Sequence, residues 1–327
     1  MKRKINKFVL YIGSIILISS GVKIKLCNDE SKKYTKEVEE YINDFKSDNF
    51  LIAAHRGFSS KEVENTKDAI SLASTAPYID YIEMDVRLTN DNKLILSHDN
   101  SLFSSNMCYI KISEEDTKDI NNQKFIYFSD RLPIEIESIF NDTNGDILRT
   151  RSKELNKNEY NLVSLKEALK KCDGKKILLD LKFNNNTKKY VKELIRELED
   201  IDTSNITFQS DDFISLLYLK NKKPDYNISA IIRTKQDLDY APLFDNLCIR
   251  KNLVDEKVVT KLLKEVNEIS VWTLNDENEI NEVIDNLKDQ YKNVIYITDY
   301  PDVVAKCLND KEKKFKRWDC NYQNKII

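Results

Sequence analysis

Histidine and glycine are scarce in this chain, and its cysteines are scattered. The 327 residues include two histidines and five glycines, and the formal net charge is −3. No Cys-x-x-Cys pair occurs, so the sequence has neither the usual spacing of a zinc site nor a readable disulfide framework. The slight negative charge argues against bulk binding to nucleic acid. The six cysteines are Cys27, Cys108, Cys172, Cys248, Cys307 and Cys320.

Long hydrophobic runs are also scarce, since residues 8–22 form the single one. As a helix, this run would be roughly 22 Å long, short of the ~30 Å of a bilayer core, and basic residues precede it. We expect residues 1–27 to be a signal peptide or an uncleaved membrane anchor, with a buried helix as the weaker alternative. Residues 28–48 would then be a linker or first helix, and the chain beyond would lie on the extracellular face of the membrane or be secreted.

Short apolar segments alternate with amphipathic segments from residue 49 onward. Strands are predicted at 50–54, 81–86, 94–97, 177–181, 206–208, 228–232, 247–249, 269–274 and 294–297. About eight such repeats predict an α/β fold, a (β/α)8 TIM barrel over residues 49–308. Nine strands compete for eight places, and 247–249 is the weakest of them. Residues 100–161 are polar and predict an insertion after the third strand, and 309–327 form a basic, solvated tail.

Two carboxylates lie two residues apart on the apolar segment Tyr81-Ile82-Glu83-Met84-Asp85-Val86. Side chains alternate along a strand, so Glu83 and Asp85 share a face of a buried sheet. Paired buried carboxylates are costly unless a cation neutralises them, and a hard divalent cation prefers oxygen ligands. Asp180 and Lys182 share a face at the end of another apolar strand, which predicts a third ligand and a cation in the same cavity.

Both histidines adjoin predicted strand ends. His55 follows Ile52-Ala53-Ala54, and His98 follows Leu96-Ser97. The C-terminal ends of barrel strands form one rim, where active sites of such barrels are built. Imidazole moves protons near neutral pH, and the guanidinium of Arg56 is suited to a phosphate oxygen. The combination predicts a metal-assisted hydrolase that acts on a phosphate ester.

At these residues the sequence resembles the glycerophosphodiester phosphodiesterase family of metal-dependent barrel enzymes. The resemblance covers roughly residues 50–306 and implies that His55 and His98 are the acid and base. It also implies that Glu83, Asp85 and Asp180 bind one divalent cation, Ca²⁺ or Mg²⁺. The motifs that carry it are, in order, His55-Arg56-Gly57, Glu64-Asn65-Thr66, Glu83-Met84-Asp85-Val86, Thr89-Asn90-Asp91, His98-Asp99, Asp180-Leu181-Lys182, Trp272-Thr273-Leu274-Asn275 and Thr298-Asp299-Tyr300-Pro301.

The chain departs from the family pattern at several positions. Val63 replaces a proline, Asp180 replaces the more common glutamate, and Asp211 replaces an aromatic residue. The shorter side chain of Asp180 reduces the reach of the third ligand by one methylene group. The region after His98-Asp99 shows little of the family pattern, so substrate choice is not specified there.

Several other residues have two interpretations. Glu64 and Asn65 either support the site from behind or cap the helix that follows them. Trp272 lines the substrate-facing rim or belongs to the core, and Lys182 binds substrate or pairs with Asp180. Thr298-Asp299 is expected to order the final loop.

The resemblance implies hydrolysis of a small or lipid-derived glycerophosphodiester to an alcohol and glycerol 3-phosphate. Two other functions stay open. The chain could act on lipids or wall glycerol-phosphate polymers as a phospholipase- or sphingomyelinase-D-like phosphodiesterase, or it could be a non-catalytic module that binds glycerophosphate. A contact with the membrane is expected through the N-terminal segment if that segment is not cleaved, and no nucleic-acid partner is expected.

Overall fold

The computed structural model describes residues 50–103, 109–126, 159–183 and 186–323. Its strands are β1 (Leu51–Ala54), β2 (Tyr81–Leu88), β3 (Leu94–Leu96), β4 (Ser101–Phe103), β5 (Tyr109–Lys111), β6 (Phe125–Ile126), β7 (Glu159–Tyr160), β8 (Lys176–Leu181), β9 (Ile206–Ser210), β10 (Asn227–Ile232), β11 (Asn246–Arg250), β12 (Glu268–Trp272) and β13 (Ile295–Thr298). The predicted signal or anchor (1–27) and linker (28–48) lie outside the described residues.

Helices follow most of the strands. The α-helices are α1 (Lys67–Thr75), α2 (Thr117–Asn121), α3 (Leu165–Leu169), α4 (Thr187–Glu197), α5 (Phe213–Lys222), α6 (Glu256–Leu262), α7 (Glu277–Leu287) and α8 (Pro301–Gln323). A 3-10 helix, Gln236–Leu243, occupies the place of a helix after β10. The last helix runs to Gln323, well into the segment expected to be a solvated tail. Among the described helices, none combines the length and the apolar character needed to cross a membrane.

Eight parallel strands close into a barrel. Around it the order is β1, β13, β12, β11, β10, β9, β8 and β2, and the pairing of β1 with β2 completes the ring. Long crossover connections carrying helices allow parallel neighbours of this kind. The predicted (β/α)8 barrel is confirmed.

Two strand predictions differ from the structure: one predicted barrel strand lies outside the ring, and the weakest candidate lies in it. Residues 94–97 were expected to supply a barrel strand, but β3 pairs antiparallel with β2 and stays outside the ring. The turn between Leu88 and Leu94 is far too short for a parallel crossover, which needs a dozen or more residues. The weakest candidate, 247–249, is a barrel strand, β11, which pairs with β10 and β12.

The predicted insertion follows β3 and separates β2 from β8 in the chain. In its described parts, β4 pairs with β5 and β6 with β7, both antiparallel. A separate apolar cluster stabilises them: Ile95, Ile110, Ile112, Ile120 and Phe125. The insertion therefore has a small core of its own beside the barrel.

Apolar side chains pack in two layers, as the alternation on β2 predicts. Ile82, Met84 and Val86 face outward and join the large cluster between barrel and helices. Tyr81 faces inward and joins the smaller cluster inside the barrel. Glu83 and Asp85 have the same parity as Tyr81, so they too face the interior. Cys172, Cys248 and Cys307 are free and buried.

Candidate active site

Three carboxylates converge inside the C-terminal half of the barrel. Glu83, Asp85 and Asp180 are all buried, and one oxygen of each lies within 4.8 Å of the others. The pairing of β2 with β8 places Asp85 directly opposite Asp180. The structure therefore brings together the three residues predicted to bind a metal, on two neighbouring strands.

Two cationic side chains adjoin this carboxylate cluster. Lys182 Nζ lies 2.6 Å from Asp180 Oδ2 and 3.0 Å from Asp85 Oδ1. Arg56 Nε lies 3.2 Å from Asp85 Oδ2, while its Nη1 donates to both carboxylate oxygens of Glu64 at 2.8 and 2.9 Å. Together with Glu64, the described cluster has four carboxylates, and two cations contact them, Arg56 and Lys182. When all four carboxylates are ionised, two negative charges are left without compensation, which is the deficit that one divalent cation fills.

Burial acts differently on the three carboxyl groups. It raises the pKa of Glu83 to about 8, and the negative charge of Asp85 adds to the effect. Burial also raises the pKa of Asp180, despite the ammonium of Lys182. At Asp85 burial is outweighed by Lys182 and Arg56, which lower its pKa below the usual range. Without a further cation the cluster resists full ionisation, and hard-cation binding would relieve this.

A left-handed turn after β1 places Arg56 against the cluster. Arg56 and Gly57 have φ angles of 56° and 82°. The Arg56 amide donates to Glu83 Oε2 at 2.9 Å, and the Gly57 amide donates to the Glu83 carbonyl at 3.2 Å. A Cβ on Gly57 would lie 2.7 Å from the backbone carbon of Ala69, so the turn and α1 can approach this closely only at a glycine.

Glu64 and Asn65 support the site, and the capping role falls to their neighbour. Thr66 is the N-cap of α1 and accepts from the Ala69 amide. Asn65 donates from Nδ2 to Asp85 Oδ2 at 2.8 Å and accepts from the Asp85 amide at 3.0 Å. Asn65 thus orients Asp85, while Glu64 holds the Arg56 guanidinium.

Asp299, which the sequence predicted to order the final loop, anchors His55. His55 Nδ1 lies 2.6 Å from Asp299 Oδ1, and His55 Nε2 lies 4.0 Å from Glu83 Oε2. Ser59 Oγ also donates to Asp299 Oδ1 at 2.9 Å, and Asn275 Nδ2 donates to the second Asp299 oxygen. Asp299 is thus fixed on both oxygens and directs the other ring nitrogen of His55 toward the carboxylates.

Barrel closure explains why this contact was missed. β1 and β13 are the first and last barrel strands, and their register pairs Ala54 with Thr298. The residues that follow, His55 and Asp299, therefore emerge side by side although 244 positions separate them. The signal was available in the order of the motifs, because the ends of a closed barrel are always neighbours.

Opposing effects set the pKa of His55. Burial and the charge of Arg56 lower it, whereas the hydrogen bond to Asp299 and the charge of Glu83 raise it, and the net shift is upward. His55 is therefore poised to hold a proton more readily than an exposed imidazole does.

His98 follows β3, which runs antiparallel to β2 and ends beside the same end of the barrel. The Ser97 amide donates to the Asp85 carbonyl at 3.1 Å, which places the end of this strand beside the cluster. His98 Nδ1 lies 2.8 Å from Asp99 Oδ1, and the side chain is 38% exposed. Arg87 Nε fixes the His98 carbonyl at 2.9 Å. His98 is thus anchored by its backbone and its neighbour, and it is more accessible than His55.

Trp272 closes β12 and covers the interior of the barrel. Its ring packs on the inner apolar cluster, and its Nε1 donates to the Cys248 carbonyl at 3.1 Å. The Arg233 guanidinium lies 5.5 Å from the ring centroid. The side chain is half-buried at the strand end, so it belongs both to the core and to the rim, and the two interpretations from the sequence are compatible.

The sequence matches a known family over most of this site. The model of the Glycerophosphoryl diester phosphodiesterase family matches residues 55–303, which include both histidines, the three carboxylates of the cluster and Asp299. A protein of Mycoplasma genitalium with no characterised function is 26% identical over 241 residues, covering 72% of this chain and 90% of that protein.

The names of two further similar proteins state an activity. Lysophospholipase D of Mus musculus is 32% identical over 100 residues, which is 27% of this chain, and the match spans only 30% of the mouse protein. The structure of an Oleispira antarctica phosphodiesterase in complex with the product sn-glycerol-3-phosphate is 18% identical with a TM-score of 0.60, covering 79% of this chain and 96% of that one. At this identity the structural likeness establishes a shared fold.

Proposed function

We propose that this chain, which belongs to the glycerophosphoryl diester phosphodiesterase family and hence to the phosphoric diester hydrolases, hydrolyses glycerophosphodiesters to an alcohol and glycerol 3-phosphate. The observation that carries the proposal is the buried cluster of Glu83, Asp85 and Asp180 beside an anchored His55. The product named for the Oleispira phosphodiesterase, sn-glycerol-3-phosphate, supports this substrate class.

The cluster fits one divalent cation, Ca²⁺ or Mg²⁺, held by Glu83, Asp85 and Asp180. All three ligands are carboxylates, the hard oxygen donors that these ions prefer, and two negative charges of the group are uncompensated. When bound, the cation supplies electrostatic stabilisation of the negative charge that develops on the phosphodiester. Asn65 and Lys182 keep Asp85 and Asp180 in place.

The two histidines divide the proton transfers. One takes a proton from the nucleophile, which is water or a neighbouring hydroxyl of the substrate, and the other protonates the leaving alkoxide. His55 has its Nδ1 bound to Asp299, so its Nε2 is the atom that meets the substrate. Arg56, Lys182 and Trp272 bind the phosphate and the substrate around this centre.

A lipid-derived substrate is the second candidate. Among the described residues, the exposed large apolar side chains are Ile214, Tyr240, Leu243 and Tyr300. Ile214 and Tyr300 come soon after the C-terminal ends of β9 and β13, at the rim that also holds the site, whereas Tyr240 and Leu243 lie in the 3-10 helix between β10 and β11. An apolar rim around a phosphodiester site suits a substrate with an acyl chain, such as that of the mouse lysophospholipase D.

We further propose that the barrel acts on the extracellular face of the membrane or after secretion, with residues 1–27 as its signal or anchor. The sequence of that segment carries this proposal: basic residues precede the single long apolar run of the chain.

Hydrolysis of a panel of substrates tests both candidates and the cation together. The panel contains glycerophosphodiesters, lysophospholipids and intact phospholipids, each incubated with and without chelator. We expect EDTA to abolish hydrolysis and Ca²⁺ or Mg²⁺ to restore it, because the carboxylates cannot all ionise without a cation. Full activity after exhaustive chelation would contradict the metal assignment. Binding of glycerol phosphate without any hydrolysis would favour the non-catalytic module.

A further inference from the structure

One row of interior side chains extends the carboxylate cluster onto a third strand. The register of the barrel pairs Asp85 of β2 with Asp180 of β8, and Asp180 with Gln209 of β9. Residues paired across adjacent parallel strands project from the same face of the sheet. Asp85 and Asp180 converge inside the barrel, so Gln209 projects into the barrel beside Asp180.

Gln209 is buried with an oxygen that nothing in the described chain satisfies. The residue is 2% exposed, and its Oε1 has no hydrogen-bond partner among the described residues. A buried acceptor without a donor costs free energy, so such atoms in folded proteins usually have a partner that is not a protein group. The partner of this oxygen is therefore a cation, an ordered water or a donor on a bound molecule.

The neighbours of Gln209 favour a cation. The adjacent carboxylate, Asp180, only accepts hydrogen bonds when it is ionised. The ammonium of Lys182, which contacts Asp180, already binds both Asp180 and Asp85. Hard cations take six or more oxygen ligands, among them the amide oxygens of Asn and Gln, so three carboxylates leave positions to fill.

Charge balance also favours an amide at this position. With all its carboxylates ionised, the group around the cluster has two uncompensated negative charges, which one divalent cation neutralises. A fourth carboxylate among the ligands would add a charge that the cation could not balance. The amide of Gln209 adds an oxygen without a charge, next to the third ligand, Asp180, whose side chain is short.

We propose that Gln209 Oε1 is a fourth protein ligand of the divalent cation held by Glu83, Asp85 and Asp180. The inference rests on the cation requirement of the proposed function. It predicts that affinity for the ion depends on Gln209 in the absence of any substrate.

Calorimetric titration of the chelator-stripped full chain with Ca²⁺ and with Mg²⁺ tests the proposal without an activity assay. Gln209→Leu removes the oxygen at similar volume, and we expect it to weaken binding at least tenfold. Gln209→Glu keeps an oxygen at the same reach but adds a charge, so its affinity should lie between those of the wild type and the leucine variant. If Gln209→Leu does not fold, Gln209→Met replaces it, since methionine matches the length and flexibility of glutamine.

Thr207→Val is the matched control. Thr207 lies on the same strand and face as Gln209, two residues earlier, where it pairs with Leu178 rather than with a carboxylate. This variant should bind both ions as the wild type does. The thermal unfolding temperature of each variant, measured in chelator, separates loss of ion binding from loss of folding.

The results distinguish this proposal from the proposed function. If the wild type binds neither ion, the cation requirement fails and the assignment of Gln209 falls with it. If the wild type binds the ion and folded Gln209→Leu or Gln209→Met binds it equally tightly, the cation site stands and the assignment of Gln209 alone is overturned.

Discussion

Asp85 is the residue on which most contacts of the site meet. Asn65 binds both its carboxylate and its amide, Lys182 lies 3.0 Å from Oδ1, and Arg56 lies 3.2 Å from Oδ2. A buried carboxylate is costly unless it is paired and hydrogen-bonded, and Asp85 has both kinds of partner. It therefore stays ionised, as the lowered pKa indicates, while burial keeps the neighbouring Glu83 prone to protonation.

Replacement of either histidine tests the proposed proton transfers. We expect His55→Ala and His98→Ala each to lower turnover at least about 100-fold, the usual contribution of a positioned acid or base. Folding should change little, as judged by circular dichroism and thermal unfolding. Wild-type turnover in either variant would remove that histidine from the mechanism.

Asp299→Asn tests the positioning of His55. Asp299 accepts from Nδ1, so the neutral ring should carry its proton there and present Nε2 to the substrate. An asparagine no longer enforces this tautomer, and we expect kcat to fall at least about tenfold with KM little changed. The chain has two histidines, which makes the ring nitrogens easy to assign by ¹⁵N NMR. Their signals should show a shift of the His55 proton from Nδ1 toward Nε2.

Asp302→Asn is the control for Asp299→Asn. Asp302 is three residues away and forms an ion pair with the exposed Lys61 at 3.3 Å. Its replacement should leave both kcat and the ring signals unchanged. The positioning role is refuted if Asp299→Asn keeps the wild-type kcat and the wild-type ring signals.

At the scale of elements, two turns bring the site residues together. The Arg56-Gly57 turn packs against α1 and aims an amide at Glu83. The short turn between β2 and β3 reverses the chain, so that β3 runs back toward the barrel rim and delivers His98 beside Asp85. A parallel strand in that position would have needed a long crossover, and the segment is too short for one.

In the described part of the chain two glycines have positive φ, and alanine at each of them separates strain from close packing. Gly57 and Gly174 have φ angles of 82° and 76°, but only at Gly57 does a Cβ meet other atoms within 4 Å. Gly174→Ala should cost about 1 kcal/mol of unfolding free energy, the strain of a left-handed residue. Gly57→Ala should cost at least about 3 kcal/mol, because steric overlap with α1 adds to that strain. Urea unfolding curves measure both, and equal losses would show that the approach of α1 does not matter.

At the scale of the whole molecule, closure of the barrel makes one rim from the ends of distant strands. His55, Asp85, Asp180 and Asp299 come from β1, β2, β8 and β13, which are consecutive around the ring. Two of the exposed apolar side chains, Ile214 and Tyr300, follow strands that end at the same rim. Substrate, cation and any lipid surface would therefore meet the protein on a single face.

The location of the chain is a prediction about its N-terminal segment. Residues 8–22 are the one long apolar run and basic residues precede them, so we expect the barrel to face the outside of the cell. Protease added to intact cells should digest or release a tethered form, and a cleaved form should appear in the medium with its N-terminus near Val22. A full-length chain found only in the cytosol and protected from protease would contradict this expectation.

Much of the fold and the composition of the site followed from local patterns. Alternation on the segment 81–86 places Glu83 and Asp85 on the interior face, because the period of a strand is two. Repeated strand and helix patterns predicted the barrel, and the motifs predicted the family whose model matches residues 55–303. These properties depend on neighbouring residues, so the chain specifies them without reference to distant segments.

Tertiary structure decided what depends on contacts between distant segments. It placed Asp299 on His55, Asn65 on Asp85 and Gln209 beside Asp180. It also made Asn246–Arg250 a barrel strand and paired Leu94–Leu96 antiparallel with β2, outside the ring. Register and ring closure determine these neighbours, and both arise when all strands pair at once. Local sequence cannot fix them, because the same alternation is compatible with several pairings.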